Sequence, residues 1–323
     1  MNNKQIITIA TSKKLYIDMA VNLIRSFILW NKNNHISFYL ATDIPQYLPA
    51  DVKEYINLIH LQPNELGEGF SPKLHLDKIV PAGKTLFIDS DCLIYGSLVP
   101  VFEQFNGRKV SVIGNYISKG EWFGDIAAVC QKFNIPHLPK FNGGIYYLEQ
   151  GPEAAKVYAA ARELENSYDE IGFVRLRGRP NDELLMALAM QLHGQKPVMD
   201  DGTVMSDPQA CRGSYKLNVI SGKRQLVNPP SPNPLHQGWY PFKTVSPVIV
   251  HFLGYYTQHY PYKKDVYRLK MLAAGNLDLF TEVKALVTIQ YPEQITKLFK
   301  HLLRPVYHLV FGNRKIKPSE RLV

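Results

Sequence analysis

Apolar and polar positions alternate along the first half of the chain in two different rhythms. QIITIA (5–10) is a short apolar run with the character of a buried strand, and after it Ile17, Ala20, Val21, Ile24, Phe27 and Ile28 recur at three- and four-residue steps, the period of a helix face. The next strand-like runs are HISFYLATD (35–43), INLIHL (56–61), TLFID (85–89), KVSVIGN (109–115) and GIYYL (144–148). Helical patterns fall between them at 74–79, at 152–168 with proline in the first turn, and at 182–193. Strand–helix alternation of this kind predicts an α/β fold, a mostly parallel, doubly wound sheet flanked by helices. In such sheets ligands sit beyond the carboxyl ends of the strands.

The carboxyl end of TLFID carries Asp89, Ser90 and Asp91, followed by the apolar run CLIYGSL rather than by a bare turn. Two carboxylates this close repel unless a cation or several donors lie between them. A divalent ion with oxygen ligands, Mn²⁺ or Mg²⁺, answers that demand and also binds diphosphate oxygens. One such Asp-x-Asp is expected by chance in a chain of this length, and turn capping is the competing reading. Three further stretches share the tone. FNGGIYYLEQ (141–150) sets an amide and two glycines before a strand, where backbone can approach a ligand closely. RPNDELLMALAM (179–190) opens a helix with Asn181, Asp182 and Glu183, and VIVHFLGYY (248–256) ends a strand on His251, a nitrogen ligand suited to Mn²⁺.

Composition narrows the classes. The chain has 323 residues, 46% of them hydrophobic and 20% charged, the profile of a globular protein. Its three cysteines, Cys92, Cys130 and Cys211, form neither a disulfide framework nor a zinc pattern. No apolar run reaches the roughly 18 residues of a membrane span, and MNNKQIITIA lacks a signal-peptide core, so the expected location is cytoplasmic. Net charge is +9, and from residue 296 onward seven Lys or Arg against one Glu supply +6 of it. The body is nearly neutral, which argues against a nucleic-acid groove and against nucleic acid as a partner.

Together these stretches resemble the retaining glycosyltransferases of the GT-A fold, in particular family GT8, the glycogenin and bacterial lipopolysaccharide galactosyl- and glucosyltransferase group, over about residues 5–265. The resemblance implies transfer of a hexose from a nucleoside diphosphate sugar, in the first place a UDP-sugar, to a hydroxyl of a glycan or glycolipid acceptor. It implies Asp89, Asp91 and His251 as metal ligands, with Ser90 at the diphosphate. FNGG (141–144) looks like the family's F-N-[SA]-G, with Gly143 at its Ser/Ala position, which implies Asn142 as a sugar contact; Asp182 takes the place of the donor-sugar contact, and Gly254 falls in the H-[FY]-x-G diphosphate turn. Lys73 corresponds to a basic residue facing the donor. Ala10, Thr11 and Tyr16 correspond to the base and ribose site.

Two departures stand out. Thr257 occupies the place of a lysine that steadies the leaving diphosphate, with Lys263 or Lys264 as the nearest substitutes, and Glu183 replaces a glutamine. A glutamate there is either a nucleophile or charge stabiliser, or simply a favourable first-turn acid. The competing functions are a sugar-1-phosphate nucleotidyltransferase and a catalytically inactive binding protein of the same fold. Loops 116–141 and 199–240 are expected to shape donor selection, and Trp239 with Tyr240 are candidates to flank a sugar. Residues 1–275 read as the catalytic domain and 276–323 as a basic helical extension. In that extension Ile295, Leu298, Phe299, Leu302, Leu303, Val306, Leu309 and Val310 form an apolar stripe, and residues 293–323 offer peripheral contact with an anionic membrane.

Overall fold

The structure, a computed structural model, describes residues 3–312. Its centre is a six-stranded sheet of β1 (Lys4–Ile9), β2 (Ile36–Thr42), β3 (Asn57–His60), β4 (Lys84–Ile88), β6 (Val110–Ser111) and β9 (Ile145–Glu149) in the order β3-β2-β1-β4-β9-β6. Strands β1 to β4 are mutually parallel, and β9 alone runs against its neighbours β4 and β6.

Successive residues of these strands enter opposite cores. On β1 and β4, Ile7 and Phe87 join one cluster while Ile6, Leu86 and Ile88 join the other. Both faces are covered, which is why these strands read as continuous apolar runs rather than as alternating ones. Helix α1 (Lys14–Asn31) covers one face through Ile17, Ala20, Leu23, Ile24 and Phe27. Helices α2 (Pro152–Asn166) and α3 (Asp182–Leu192) cover the other, and α3 buries every residue from Leu184 to Met190.

The stretch 109–115, which reads as one strand, is two. Val110–Ser111 pairs with β9, whereas β7 (Ile113–Ile117) leaves the main sheet to pair with β8 (Leu138–Phe141) and β10 (Val198–Met199). The segments 116–141 and 199–240, expected to be loops, also contain ordered elements. A helix spans Ile126–Lys132 in the first, and the second holds β11 (Met205–Ser206), β12 (Ser214–Asn218) and β13 (Lys223–Val227). β13 bridges β12 to β14 (Thr244–Val245) in a small antiparallel sheet over a third core, which also takes Phe252, Tyr262 and Leu269.

The strand that positions the site is β5 (Cys92–Ile94), which continues the chain beyond Asp91 and pairs antiparallel with β15 (Ile249–His251), setting Cys92 opposite His251. C-terminal to β15, helices α4 (Tyr260–Ala273), α5 (Leu279–Ala285) and α6 (Tyr291–Phe311) close the chain. α4 is anchored by a buried network in which Asp265 accepts from Tyr95 Oη at 2.6 Å and from Arg268 Nη1 at 2.7 Å, while Arg268 also pairs with Glu282 of α5. Glu293 ties α6 back, accepting from His259 Nδ1 and from Tyr260 N–H, each at 2.7 Å. α6 is helical through Pro305. Arg314, Lys315, Lys317 and Arg321 lie outside the described residues.

Candidate active site

The site is built where β4 ends. Asp89 N–H donates to the Gly144 carbonyl at 2.9 Å, Cys92 N–H donates to the Asp89 carbonyl at 3.0 Å, and Phe252 N–H donates to the Asp91 carbonyl at 3.0 Å. The acidic turn is thereby clamped between the 142–144 segment and β15. His251 Nε2 then lies 3.0 Å from Asp91 Oδ1 and 4.0 Å from Asp89 Oδ2. His251 thus lies beside Asp91 and within reach of Asp89, but the donor atoms that lie mutually within 4.8 Å are those of Asp91, Cys92 and His251, and Asp89 is drawn toward Lys73 instead.

The electrostatics follow from that crowding. Burial alone would pull His251 down, but Asp91, then Asp89 and Asp207, raise it to about 9, so that it pairs with Asp91 as an imidazolium at neutral pH. Burial pushes the Asp91 carboxyl up, yet His251 and Lys73 hold it below its ordinary value. Cys92, wholly buried, has its thiol pushed well above the usual range by burial and by the two aspartates. Its sulfur lies with the Asp91 and His251 donors within 4.8 Å of one another. As a protonated thiol it is a packing group rather than a ligand for a hard cation.

Lys73 crosses the site from the opposite side. Its ammonium donates to Asp89 Oδ2 at 2.7 Å and to the Gly143 carbonyl at 2.9 Å, and lies 3.6 Å from Asp182 Oδ2. Burial opposes its charge, but Asp182 and Asp89 more than offset that and hold it firmly protonated. Asp182 is buried and accepts from Tyr146 Oη, and burial raises its carboxyl above the ordinary value despite Lys73. Glu183 beside it, half-buried, accepts the Gly143 N–H at 2.7 Å. Burial first, then the Asp182 charge, lifts Glu183 to about 7.

Asn181 caps α3 by accepting Glu183 N–H at 3.0 Å, which fixes where both acids project. Asn142 faces inward: its Oδ1 accepts from His251 Nδ1 at 2.8 Å and from Gly144 N–H at 3.0 Å, while its Nδ2 donates to Asp207 Oδ2 at 3.2 Å. Gly144 is required there, because a Cβ would lie 2.6 Å from His251 Nδ1.

The other expected positions are distributed around this centre. Ala10, buried, and Thr11 follow the end of β1, next to β4 in the sheet, and Ser12 beyond them has φ 69° with its N–H on Asp43 Oδ1 at 2.9 Å. Tyr16 is exposed on α1 with the Lys13 ammonium over its ring, and Ser90 is buried between the two aspartates. Gly254 follows His251 at φ 50°, and Thr257 is buried with its hydroxyl on the Gly254 carbonyl at 2.7 Å. The two lysines weighed as substitutes turn elsewhere: Lys264 donates to Gln290 at 2.6 Å, and Lys263 lines a groove with Thr288, Pro292 and Glu293. Asp207 and Asp43 were not singled out from the sequence. SDPQA reads as an ordinary turn, and a carboxylate after a strand reads as a cap.

No protein-family model matches the sequence, and no curated protein matches it either. Solved structures do. The galactosyltransferase LgtC, determined with donor and acceptor sugar analogues, matches 84% of this chain and 95% of its own, at 14% identity and a TM-score of 0.53. The bifunctional glycosyltransferase WbbM matches 92% of this chain at 10% identity and a TM-score of 0.50, over 51% of WbbM's own length. At such identities the likeness is one of fold. A doubly wound sheet, an acidic turn at the end of its central parallel strand and agreement over most of the chain make this the GT-A fold of glycosyltransferases.

Proposed function

We propose that the protein is a metal-dependent glycosyltransferase that moves a hexose from a UDP-sugar to a hydroxyl of a glycan or glycolipid acceptor, with retention at the anomeric carbon. The observation that supports this reading is His251 Nε2 lying 3.0 Å from Asp91 and 4.0 Å from Asp89 just beyond β4, in a fold shared with the galactosyltransferase LgtC; an ion there would require Asp89 to turn from Lys73.

Two carboxylates and one imidazole nitrogen form a donor set suited to Mn²⁺ or Mg²⁺, and the His251 ring presents Nε2 to the carboxylates while Asn142 holds Nδ1. Asp89, Asp91 and His251 would hold the ion, which when bound neutralises charge on a departing diphosphate. Around it the chain supplies its own chemistry. Lys73 keeps a permanent positive charge beside Asp89 and offers a donor to diphosphate oxygens. Ala10, Thr11 and Tyr16 border the adjoining strand end, where a base and ribose fit. Asp182, fixed by Tyr146 and Lys73, accepts from sugar hydroxyls. Glu183, when ionised, would be the carboxylate to attack the anomeric carbon or to stabilise the positive charge that develops there. Trp239, 55% exposed with the Lys140 ammonium 5.9 Å from its ring, is an apolar platform for an acceptor sugar.

Metal-dependent release of UDP from a panel of UDP-sugars tests the reading. Asp91→Ala is expected to lower turnover at least about 100-fold while leaving the far-ultraviolet dichroism unchanged. Nucleotide binding without release would support the inactive binding protein instead, and pyrophosphate formation from UTP and a sugar-1-phosphate the nucleotidyltransferase. Glu183→Gln with full activity would rule out an obligatory carboxylate nucleophile.

A second element of the proposal concerns the appended helices after residue 275. Leu298, Phe299, Leu302, Leu303, Val306, Leu309 and Val310 are each more than half exposed along α6, and so are Leu279 and Phe280 of α5. Lys297, Lys300 and Arg304 share α6 with this stripe. An apolar face with cationic flanks complements an anionic lipid surface, which would hold the enzyme beside a lipid-linked acceptor. No helix among the described residues is long and apolar enough to cross a membrane.

A further inference from the structure

We infer that Asp207, through Asn142, holds the Nδ1 side of His251 so that Nε2 is the ring nitrogen turned toward the carboxylates, the one that binds the divalent cation once its proton leaves. The inference rests on the metal reading above and adds to it a residue outside the ligand set.

The atoms dictate the arrangement. Asp207 is 7% exposed and lies just past β11, the strand that pairs parallel with β15. Its Oδ1 accepts from Ala210 N–H at 2.8 Å, and its Oδ2 accepts from Asn142 Nδ2 at 3.2 Å. A carboxylate can only accept, so the amide atom facing it must be nitrogen. A backbone N–H can only donate, so the atom of Asn142 facing Gly144, 3.0 Å away, must be oxygen. The same oxygen is 2.8 Å from His251 Nδ1, which must therefore carry a proton and donate. Nε2 donates to Asp91 Oδ1, 3.0 Å away, while the ring is an imidazolium, and it is then the nitrogen that gives up its proton when a metal takes its lone pair. Three fixed polarities, beginning at Asp207, thus keep the proton on Nδ1 and leave Nε2 as the nitrogen that can release its own, in a ring that Asp207 itself does not bond.

Turn capping alone is the competing role for Asp207, and an isosteric change separates the two. In Asp207→Asn the side-chain oxygen still accepts from Ala210 N–H, but its amino group meets that of Asn142. Donor then faces donor, and Asn142 must flip or withdraw. Either response unseats the Nδ1 hydrogen bond of His251. Outer partners of metal-binding histidines commonly affect affinity by about 10–100-fold. The double exchange Asn142→Asp with Asp207→Asn restores the pattern: the new carboxylate accepts from His251, from Gly144 and from the new amide, while the Ala210 cap persists.

The test is titration of the full chain with Mn²⁺ alone, reading free ion by electron paramagnetic resonance, together with melting in the absence of metal. Asp207→Asn is expected to bind Mn²⁺ at least about tenfold more weakly than wild type with a metal-free melting temperature within about 2 °C. The double exchange is expected to recover to within about threefold of wild type. Unchanged affinity in Asp207→Asn, or a double exchange as weak as the single variant, would overturn the inference. Should Asp207→Asn not fold, the double exchange decides alone: threefold or closer supports it, and a tenfold loss sinks it. Failure of the wild-type chain to bind Mn²⁺ at all would overturn the metal reading, and this inference with it.

Discussion

Replacing Glu183 with glutamine removes an acid whose proton the fold retains, and the consequence for stability can be worked from its surroundings. The carboxyl titrates at 4.5 in an unperturbed setting and at about 7 in the folded chain, because burial and then Asp182 disfavour its ionised form. Between those values the folded state binds more protons than the unfolded one. The group therefore costs nothing below about pH 4.5, and stability falls as pH rises toward and through 7. At about 1.4 kcal/mol per pH unit the full displacement amounts to about 3 kcal/mol. Glu183 is only half-buried, so solvent screening reduces the expected value to about 1–2 kcal/mol. Glutamine keeps the acceptor for the Gly143 N–H and is neutral at every pH. Melting both proteins without metal, the variant and wild type should agree closely at pH 5. At pH 8 the variant should be higher by several degrees, at about 2 °C per kcal/mol for a chain of this size. A difference independent of pH, or a variant less stable at pH 8, would refute this account of the carboxyl.

Other expectations are as direct. Gly144→Ala forces a Cβ to 2.6 Å from His251 Nδ1 and 3.0 Å from Met205 Sδ, which should cost about 1–3 kcal/mol in chemical denaturation and weaken Mn²⁺ binding. Asp265→Ala removes the acceptor of the Tyr95 hydroxyl and leaves Arg268 with Glu282 and a 3.5 Å hydrogen bond to the Leu217 carbonyl, an expected loss of about 3–5 kcal/mol in chemical denaturation. Changing Leu298, Phe299 and Leu302, all exposed, to glutamate should abolish sedimentation with anionic vesicles while shifting the melting temperature by less than about 2 °C. Persistent sedimentation would exclude α6 as the docking element.

The middle of the central sheet was legible because β1 and β4 are buried on both faces: QIITIA and TLFID are largely apolar runs, and no alternative period competes. The break at Val112 was not legible. Its neighbours Val110 and Ile113 are equally apolar and β-prone, and only the pairing partner changes between them. The acidic turn and His251 were singled out by residue type and strand position, and the resemblance joined them. The route from Asp207 to His251 depends on an amide 65 residues away, a relation between side chains that no local pattern encodes. Lys263 and Lys264 looked like substitutes for a cation at Thr257 because they are near in sequence. The helix that carries them turns one onto Gln290 and the other against Pro292 and Glu293 instead.

The pairing of Cys92 with His251 has a consequence for how the protein comes into being. A contact across so long an intervening segment is of high contact order, so the pairing of the two short strands is expected late, after the sheet has ordered. A chain emerging from the ribosome would complete its central layer long before it could grip an ion. If the proposed metal site is real, Mn²⁺ affinity acquired during refolding would be a clock for a late step of assembly, and a one-residue slip of the late strand would turn the imidazole to the opposite side and leave a sound sheet with no site.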